Sequence, residues 1–338
     1  MKILYAIQAT GNGHISRAME LLPHIEKYGQ VDIFLSGANS TLVLDAPVKF
    51  RSRGLSLFYK CDGGLHYWKM LKEYAPLKLR KEINELPVEK YDLVINDFEF
   101  ITAAACAKKK IPSVCFGHQA SFISEKTPRP VNKNHIGEWI LKNYARATHY
   151  TGLHFEKYDD FIFTPVIKKE IREAEPCDKN YITVYLPAYC EPELKQIFGP
   201  LNNFRFEIFS WQTKQIHTEG NIRFLPVSKK LFNESFIHCT GIITGGGFET
   251  PAEALHLGKK LMAIPIRGQY EQLCNAEALR RIGITCIKKP GKDFAAEFNH
   301  WINYSAAPKV DYSNSIEEAL RYLFALDLKN KNEYVLAG

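Results

Sequence analysis

Residues 241–255 read GIITGGGFETPAEAL: a short apolar run, three glycines and a helix-forming segment. The apolar run has the length of a buried strand. Gly245, Gly246 and Gly247 let the backbone turn tightly and expose N–H groups, and the following helix adds the positive end of its dipole. This order predicts a strand–turn–helix unit of a parallel sheet, with a diphosphate site at the turn. No Gly-Lys-Ser or Gly-Lys-Thr follows, so the turn is not a nucleoside-triphosphate P-loop.

Two interpretations of Glu253 are open at this point. Thr250, Pro251 and Glu253 fit a capping box with proline at the first helical position, in which Glu253 closes its own helix start. Alternatively, its carboxylate accepts hydrogen bonds from the ribose hydroxyls of a nucleotide. A Cβ at Gly246 is expected to fill the phosphate position and leave the fold intact.

The next segment, residues 264–276, reads IPIRGQYEQLCNA and repeats the strand–loop–helix pattern. Gln269, Glu271 and Gln272 would gather donors and acceptors at the same edge of the sheet. A sugar ring needs such groups because each hydroxyl both donates and accepts a hydrogen bond. The alternative is an ordinary polar helix start, where the helix dipole favours Glu271.

Strand-like and helix-like segments alternate along the rest of the chain, which is typical of βαβ units on a parallel sheet. The predicted strands are Ile3–Ile7, Val31–Leu35, Leu93–Ile95, Ser113–Phe116, Tyr181–Leu186, Phe206–Ile208, Ile222–Leu225, Ile242–Thr244, Leu261–Ile264 and Thr285–Ile287. The predicted helices are Ile15–Tyr28, Ile101–Lys109, Glu191–Phe198, Lys229–Phe236, Pro251–Leu257, Glu271–Ile282, Phe294–Asn303 and Ser315–Leu326.

A polar, proline-bearing stretch interrupts this alternation at residues 166–178 and predicts a linker. The predicted fold class is therefore α/β: two Rossmann-like, doubly wound domains that face a cleft. We expect an N-terminal domain over residues 1–165, a C-terminal domain over 179–312, and a C-terminal helix and tail over 313–338. Ligands of such sheets bind beyond the carboxyl ends of the strands.

The loop after the first predicted strand reads QATGNGHISR over residues 8–17. A dinucleotide fingerprint is disfavoured because Ser16 stands where its third glycine belongs, and because no acidic residue ends the second strand. His14 lies at the loop–helix junction, where an imidazole could take a proton from a hydroxyl. The equally simple alternative is that His14 only hydrogen-bonds the loop.

Composition excludes several classes of protein. The charge is 44 − 37 = +7, with 24% charged and 46% hydrophobic residues, close to a soluble globular average. No apolar run approaches the ~18 residues of a membrane span, and no nucleic-acid-binding motif is present. The modest positive charge suits an anionic small substrate or loose contact with anionic lipid. The eight cysteines form no C-x-x-C pair, so no zinc site is indicated, and without an export signal we expect a cytoplasmic protein.

Taken together and in this order, the Gly-Asn-Gly-His loop, the Gly-Gly-Gly turn and the Gln-Tyr-Glu-Gln segment resemble the GT-B glycosyltransferases. The resemblance is greatest to the MurG-like branch, the glycosyltransferase family 28 type, and spans about residues 1–290. Residues 91–99 (YDLVINDFE) and 111–119 (IPSVCFGHQ) are also similar to that branch. One departure is Thr244, since many relatives have His or Ser before the glycines.

The resemblance implies a nucleotide-sugar donor, usually a UDP-sugar, held mainly by the second domain. Its implied donor-binding residues are Gly13, Gly245, Gly246, Gly247, Thr250, Glu253, Gln269, Glu271 and Gln272. Within this set, the glycine turn and Thr250 would meet the diphosphate, Glu253 the ribose, and Glu271 and Gln272 the sugar.

The same resemblance assigns the acceptor to the first domain. His14 would be the catalytic base and Asp97 the carboxylate that orients it, with a turn-forming aspartate as the alternative. Asn12, His118 and Gln119 would lie on the acceptor side, although local loop bonding explains the last two equally well.

The implied reaction is a one-step inverting transfer without a cofactor, and without a metal because no Asp-x-Asp motif is present. The acceptor could be a glycan, a lipid-linked sugar or a small molecule; aromatic residues at Tyr67, Trp68 and Tyr74 suggest either lipid contact at the inner face of a membrane or a core stripe. Two other functions are possible: a UDP-sugar 2-epimerase of the same fold, and a non-catalytic nucleotide-sugar-binding protein. The sequence does not indicate an oligomeric state.

Overall fold

A computed structural model describes residues 1–9, 11–37, 40, 43–54 and 76–328. The predicted lipid-facing aromatics Tyr67, Trp68 and Tyr74 lie outside these residues. Within them, no helix is both long and apolar enough to cross a membrane.

The apolar run at the start of the chain forms the central strand of the first sheet. Because six of its seven residues are buried, it reads as a continuous hydrophobic run without alternation. All strand pairs of this sheet are parallel, and their order is β3-β2-β1-β4-β5-β6-β7. The strands are β1 (Lys2–Gln8), β2 (Gln30–Ser36), β3 (Val48–Ser52), β4 (Leu93–Asp97), β5 (Val114–Gly117), β6 (His149–Leu153) and β7 (Ile162–Phe163).

The second sheet has the same doubly wound design, with strand order β10-β11-β9-β8-β12-β13-β14. Its edge strand β10 runs antiparallel to β11, through a turn in which Gly220 takes a φ of +60° that favours glycine. The other pairs are parallel. The strands are β8 (Ile182–Tyr185), β9 (Phe206–Ser210), β10 (His217–Glu219), β11 (Ile222–Pro226), β12 (Gly241–Thr244), β13 (Lys260–Ala263) and β14 (Thr285–Cys286).

Helices connect the strands of both sheets. They are α1 (Asn12–Ile25), α2 (Pro76–Glu85), α3 (Phe100–Lys109), α4 (His135–Asn143), α5 (Lys169–Arg172), α6 (Glu191–Phe198), α7 (Lys229–His238), α8 (Glu249–Leu257), α9 (Tyr270–Arg281), α10 (Phe294–Tyr304) and α11 (Ser315–Ala325). The short α5 lies in the predicted linker, where Ile171 is buried.

The turn from β4 to α3 explains why a functional side chain can be fixed at this strand end. Glu99 caps α3 by accepting hydrogen bonds from the N–H groups of Ile101 and Thr102, and Asn96 bonds the backbone of Glu99 in both directions. Phe98 between them takes a φ of +54°, a left-handed conformation that is uncommon for a bulky residue. The tight turn holds Asp97 at the carboxyl edge of the sheet.

The last helix, α11, returns from the second sheet to pack on the first. Phe324 stacks on Tyr28, which ends the 3-10 turn after α1, with ring centroids 3.7 Å apart and planes 6° from parallel. Near the start of α11, the hydroxyls of Ser315 and Thr164 are 2.6 Å apart. The chain therefore crosses between the two sheets twice, once at each end of the second sheet's sequence.

Candidate active site

His14 lies in the first turn of α1, at the carboxyl end of β1, and its ring reaches the end of β4. Its Nδ1 is 3.0 Å from Oδ1 of Asp97. The His14 side chain is 13% exposed and Asp97 is fully buried. Because an ionised carboxylate only accepts hydrogen bonds, this contact favours a proton on Nδ1, which would leave a lone pair on Nε2.

Arg17 follows His14 by three positions on α1, so the two side chains share one face of the helix. Its Nη2 donates to both carboxylate oxygens of Asp97, at 2.7 and 2.9 Å, and lies 3.0 Å from Nδ1 of His14. Burial by itself raises the pKa of Asp97, but Arg17 and His14 outweigh burial and hold the pKa below its ordinary value. Asp97 is therefore an ionised carboxylate inside the first domain.

The second domain contributes Glu249 to the same cluster. Nη1 of Arg17 donates to Oε1 of Glu249, which lies in the first turn of α8, directly after the glycine turn. Arg17 is 3% exposed, so one buried guanidinium joins carboxylates from both domains. The burial of Arg17 lowers its pKa, but the two carboxylates reverse this effect and raise it.

The close approach of Glu249 explains one of the glycines in the first loop. A Cβ on Gly13 would lie 2.5 Å from Oε2 of Glu249, so any other residue would push this carboxylate away. The first turn of α1 contains no acidic residue of its own. Glu249 therefore supplies the negative charge that the N-terminus of α1 attracts.

The side chain of Gln272 fixes the glycine turn through backbone hydrogen bonds. Its Oε1 accepts hydrogen bonds from the N–H groups of Gly246 and Ile266, at 3.1 and 2.9 Å, and the side chain is buried. The predicted sugar ligand Gln272 thus positions two loops, and its Oε1 is occupied. The predicted phosphate donor Gly246 likewise gives its N–H to Gln272.

Cβ positions show which glycine faces open space. A Cβ on Gly246 would lie 2.7 Å from the backbone oxygen of Gln272, whereas one on Gly247 would have no atom within 4 Å. The expectation that a side chain at Gly246 would leave the fold intact is wrong, because it would collide with the backbone of α9. Gly247 is the glycine of this pair at which a side chain would enter open space.

Glu253 does not cap its helix. The helix α8 starts at Glu249 with Phe248 as its N-cap and no side-chain cap, so the capping-box interpretation is wrong. Glu253 is 2% exposed, and its Oε1 is 3.1 Å from Nζ of Lys168, which comes from the predicted linker. Its other oxygen, Oε2, has no hydrogen-bond partner among the described residues. Burial raises the pKa of Glu253, against the opposing effect of Lys168.

The predicted acceptor-side residues His118 and Gln119 lie against the second domain. Nε2 of His118 is 2.8 Å from Oδ1 of Asn275, whose Nδ2 donates to the backbone oxygen of Gly246. Gln119 donates to Oε2 of Glu271 at 3.1 Å. Both side chains are buried, so they join the two domains in this structure and do not line an open acceptor surface. The predicted sugar ligand Glu271 lies in this same contact.

An aromatic cluster completes the domain junction. The ring of His118 stacks on Phe248, with centroids 4.0 Å apart and planes 6° from parallel, and His154 lies 4.9 Å from His118. Nδ1 of His154 accepts from the N–H of Phe155, while its Nε2 has no hydrogen-bond partner among the residues described. Burial lowers the pKa of His118 and moves the pKa of His154 well below its ordinary value.

The remaining predicted site residues, Asn12, Thr250 and Gln269, lie at the N-terminal ends of α1, α8 and α9. Oδ1 of Asn12 accepts a hydrogen bond from the hydroxyl of Ser40 at 3.0 Å. Thr250 lies in the first turn of α8, and Gln269 is the N-cap residue of α9. In the part of the chain that the structure describes, no group of three or more His, Cys, Asp or Glu side chains could hold a metal ion.

Three charged residues of the site were not predicted from the sequence: Arg17, Glu249 and Lys168. The spacing of Arg17 from His14 on one helix face is a signal that could have indicated it. Glu249 gives no such signal because it lies 232 positions from its partner Arg17. Lys168 belongs to a stretch whose sequence indicated only a linker.

Comparison with known proteins gives one family and several structures. The model of glycosyl transferase family 1 matches residues 1–300. Among curated proteins, none matches the sequence of this chain.

Three similar solved structures cover nearly all of the chain. The glycosyltransferase SnogD from Streptomyces nogalater is 16% identical with a TM-score of 0.54, covering 98% of this chain and 96% of that one. MurG from Acinetobacter baumannii is 13% identical with a TM-score of 0.57, covering 96% and 100%. Arabidopsis thaliana UGT89C1, complexed with UDP-L-rhamnose, is 11% identical with a TM-score of 0.58, covering 98% and 96%. The two-sheet architecture is therefore shared with these proteins over their whole length.

Proposed function

Because the chain belongs to glycosyl transferase family 1 and has the GT-B fold, we propose that it is an inverting glycosyltransferase that moves a sugar from a UDP-sugar to a hydroxyl acceptor. The observation that carries the proposal is the contact between His14 and Asp97 at the carboxyl edge of the first sheet, directly opposite the glycine turn of the second domain. Nε2 of His14 would accept the proton of the acceptor hydroxyl as its oxygen attacks the anomeric carbon. The new glycosidic bond forms as the bond to the diphosphate breaks, and the electron pair leaves with the nucleoside diphosphate.

The charges around His14 suit this role. Asp97, Arg17 and Glu249 carry −1, +1 and −1, so the three groups sum to −1 near the imidazole. A net negative charge stabilises the imidazolium that exists while the proton is held. Asp97 also favours a proton on Nδ1 of the neutral ring, which would leave Nε2 to act as the base.

The donor would bind on the second domain. Backbone amides of the glycine turn and the N-terminus of α8 would stabilise the negative charge of the leaving diphosphate. Glu253 would accept hydrogen bonds from the ribose hydroxyls; this assignment is supported by its buried Oε2, which lacks a partner among the described residues. Lys168 pairs with the other oxygen.

We propose that the transfer needs no divalent metal. The described residues offer no carboxylate cluster for one, so the diphosphate charge falls to amides and the helix dipole. Activity should survive an excess of EDTA, and a strict, restorable dependence on a divalent ion would contradict this part of the proposal.

Peripheral contact with an anionic membrane surface is a further part of the proposal. An apolar cluster on and before α4 is exposed to solvent: Val131, Ile136, Trp139 and Ile140, with Trp139 63% exposed. Lys133 lies among them in sequence. Apolar and aromatic side chains next to lysines favour binding at the surface of an anionic bilayer. Flotation with phosphatidylglycerol vesicles, comparing the wild type with Trp139→Ser, tests this contact.

The donor is tested first by binding and then by product analysis. A bound donor stabilises the folded protein by mass action, so UDP- and GDP-sugars are compared by the rise in Tm that they cause. UDP-L-rhamnose bound to a structural neighbour supports the choice of UDP for this chain. NMR of the product then gives the anomeric configuration, and retention would contradict the inverting mechanism.

The same assay separates the two other functions. Incubation of a UDP-N-acetylsugar without acceptor would give a new sugar isomer if the protein were a 2-epimerase. A non-catalytic binding protein would bind UDP-sugars and yield no transfer or hydrolysis. The proposed transferase gives at most slow hydrolysis until an acceptor is added.

A further inference from the structure

A pocket on the first domain takes no part in the chemistry proposed above. It has a volume of about 270 Å³ and lies beyond the carboxyl ends of β2 and β3. Its lining residues are Leu35, Gly37, Arg51, Ser52, Arg53 and Lys78. Three of these residues are cations and none is acidic. We propose that the pocket binds the phosphate group of a phosphorylated acceptor. This proposal rests on the proposed glycosyltransferase function and names the chemical class of its acceptor.

The two arginines carry charge that neighbouring side chains leave uncompensated. Arg51 and Arg53 stand two positions apart on β3 and its extension and so point to one face, together with Lys49. Lys49 is paired with Asp32 at 2.6 Å. Neither arginine has an ion pair in the described part of the chain. Arginine presents a planar fork of donors that matches two oxygens of a phosphate, so a pair of exposed arginines beside a pocket suits this group.

Lys78 adds a third, partly compensated charge. Its Nζ is 3.8 Å from Oε1 of Glu82, and Oε2 of Glu82 accepts a hydrogen bond from the hydroxyl of Ser52 at 2.7 Å. Glu82 does not line the pocket itself. The pocket therefore keeps an excess of positive charge even when this carboxylate is counted.

The place of the pocket in the sheet connects it to the reacting groups. The strand order β3-β2-β1 puts β3 two strands from β1, which is roughly 10 Å at the usual spacing of neighbouring strands. Hydrogen bonds join the two regions: Gly37 donates to the backbone oxygen of Ser52 at 3.1 Å, and Ser40 donates to Oδ1 of Asn12 beside the His14 turn. An acceptor with its phosphate in the pocket would present a hydroxyl to His14 if the two groups were about 10 Å apart.

The first test measures phosphate binding without any assumption about the acceptor. The protein is saturated with UDP to fill the donor site, and inorganic phosphate is titrated by ³¹P NMR. The double variant Arg51→Gln/Arg53→Gln should bind phosphate about tenfold more weakly, which corresponds to about 1.4 kcal/mol. The control Lys288→Gln/Lys289→Gln removes the same charge from an exposed loop of the second domain and should bind as the wild type does.

Equal phosphate affinity in the wild type and the arginine variant would overturn the proposal. An equal loss in both double variants would overturn it as well, because net charge alone would then explain the binding. If the arginine double variant fails to fold, the single variant Arg53→Gln takes its place. The UDP affinity of each protein is measured separately: absent UDP binding contradicts the proposed function, whereas the phosphate titration alone judges the pocket.

A second comparison distinguishes the source of the phosphate. Glycerol 1-phosphate represents a soluble ester, and phosphatidylcholine vesicles containing phosphatidic acid represent a lipid. Loss of binding to the soluble ester in the arginine variant would support a soluble phosphorylated acceptor. Loss confined to the vesicles would support a lipid-borne one, and no loss with either probe would overturn the proposal.

Discussion

His14 owes its orientation to two neighbours that come from different parts of the chain. Asp97 contacts Nδ1 of His14, and Arg17 holds Asp97 through both carboxylate oxygens. The left-handed backbone at Phe98 keeps the end of β4 in place. A base that its neighbours hold in one orientation needs little reorganisation when it accepts a proton.

Replacing His14 by Ala should lower kcat by ~10²–10⁴-fold, the usual contribution of a general base. The donor Kd should stay nearly unchanged because the donor binds the other domain. His24→Ala on the same helix is the control and should keep wild-type kcat. Near-normal kcat in the His14 variant would remove His14 as the base, and a loss confined to donor Kd would make it a donor ligand.

The substitution Asp97→Asn should reduce kcat by less than His14→Ala does, because it affects the orientation of the base and not the base itself. It should also destabilise the protein by on the order of 3 kcal/mol, since it leaves the buried Arg17 with Glu249 as its remaining carboxylate partner. Urea unfolding and kcat are measured on the same preparation. Asp92→Asn, at an exposed residue directly before the same strand, is the control; equal stability of the two variants would contradict a buried ion pair.

Because of His154, the protein should be less stable in mild acid than at neutral pH. Its pKa is far below that of an unfolded histidine, so between these two values the unfolded chain binds the extra proton. The stabilisation is complete above about pH 6.5 and falls with decreasing pH, by up to about 1.4 kcal/mol per pH unit. His118 has a lowered pKa and adds in the same direction, and Arg129 is the nearby cation that also disfavours a charged His154.

Unfolding free energies between pH 7 and pH 5 provide the measurement for His154. His154→Asn keeps an acceptor for the N–H of Phe155 and removes the titrating ring, so the slope with pH should flatten. The exposed His300→Asn should leave the slope unchanged. A slope that is the same in all three proteins would show that His154 is not the group responsible.

At the scale of helices and strands, the sequence predicted most elements of both sheets within one to three residues. The failures have physical causes. The edge strand β3 reads VKFRS, in which charges alternate with half-buried residues, and β7 is only two residues long. In the first loop the helix α1 starts at Asn12, three residues before the predicted Ile15. The prediction placed the start too late because Gly11 and Gly13 lower the apparent helix propensity of this turn. The structure has glycine at position 13 because a Cβ there would collide with Glu249.

The candidate site was predicted less completely than the fold. The positions of His14 and the glycine turn follow from the rule that ligands of such sheets bind beyond the carboxyl ends of the strands, whereas Asp97 was indicated by the resemblance to the GT-B glycosyltransferases. The pairings of Arg17 with Glu249 and of Lys168 with Glu253 join segments that are distant in sequence, so local patterns do not indicate them. Gln272 was assigned to the sugar because a glutamine side chain can hydrogen-bond sugar hydroxyls. Its actual partners are backbone N–H groups, and the sequence gives no signal for such contacts.

Two neighbouring glycines of the turn should respond differently to the same substitution. Gly247→Ala puts a methyl group into open space, so it should leave Tm unchanged and weaken UDP binding by about tenfold, or about 1.4 kcal/mol. Gly246→Ala collides with the backbone of α9, so it should lower Tm. Calorimetry with UDP and thermal melting of both variants test this. The same Tm change in both would contradict the packing described here.

For the whole molecule, three carboxylates of the second domain make polar contacts at the domain junction, and two of them, Glu253 and Glu271, are also predicted to meet the donor. Glu253 pairs with Lys168, Glu271 accepts from Gln119, and Glu249 pairs with Arg17. Donor binding would exchange some of these contacts for contacts with the nucleotide-sugar. The affinity for donor is then the difference between two sets of polar contacts, and not the sum of the new ones.

The helix α11 should stabilise the first domain although it follows the second in sequence. The helix contacts β6, β7 and α1 of the first domain. Leu323 is 1% exposed in a core cluster that contains residues of both domains, so Leu323→Ala should cost about 3 kcal/mol of unfolding free energy. UDP affinity at a temperature where the variant is folded should not change. Arg321→Ala, exposed on the same helix, is the control, and an equal effect of the two would contradict the packing of α11.

The return of α11 also limits how related enzymes can be recombined. A chimaera that exchanges everything after the linker would bring a foreign closing helix onto Tyr28, whose stacking partner is Phe324 of this chain. The exchangeable module is instead a cassette with two junctions, one in the linker and one before Ser315. Libraries that vary donor preference by domain shuffling would therefore keep both ends of the chain from one parent and insert only the sequence between them.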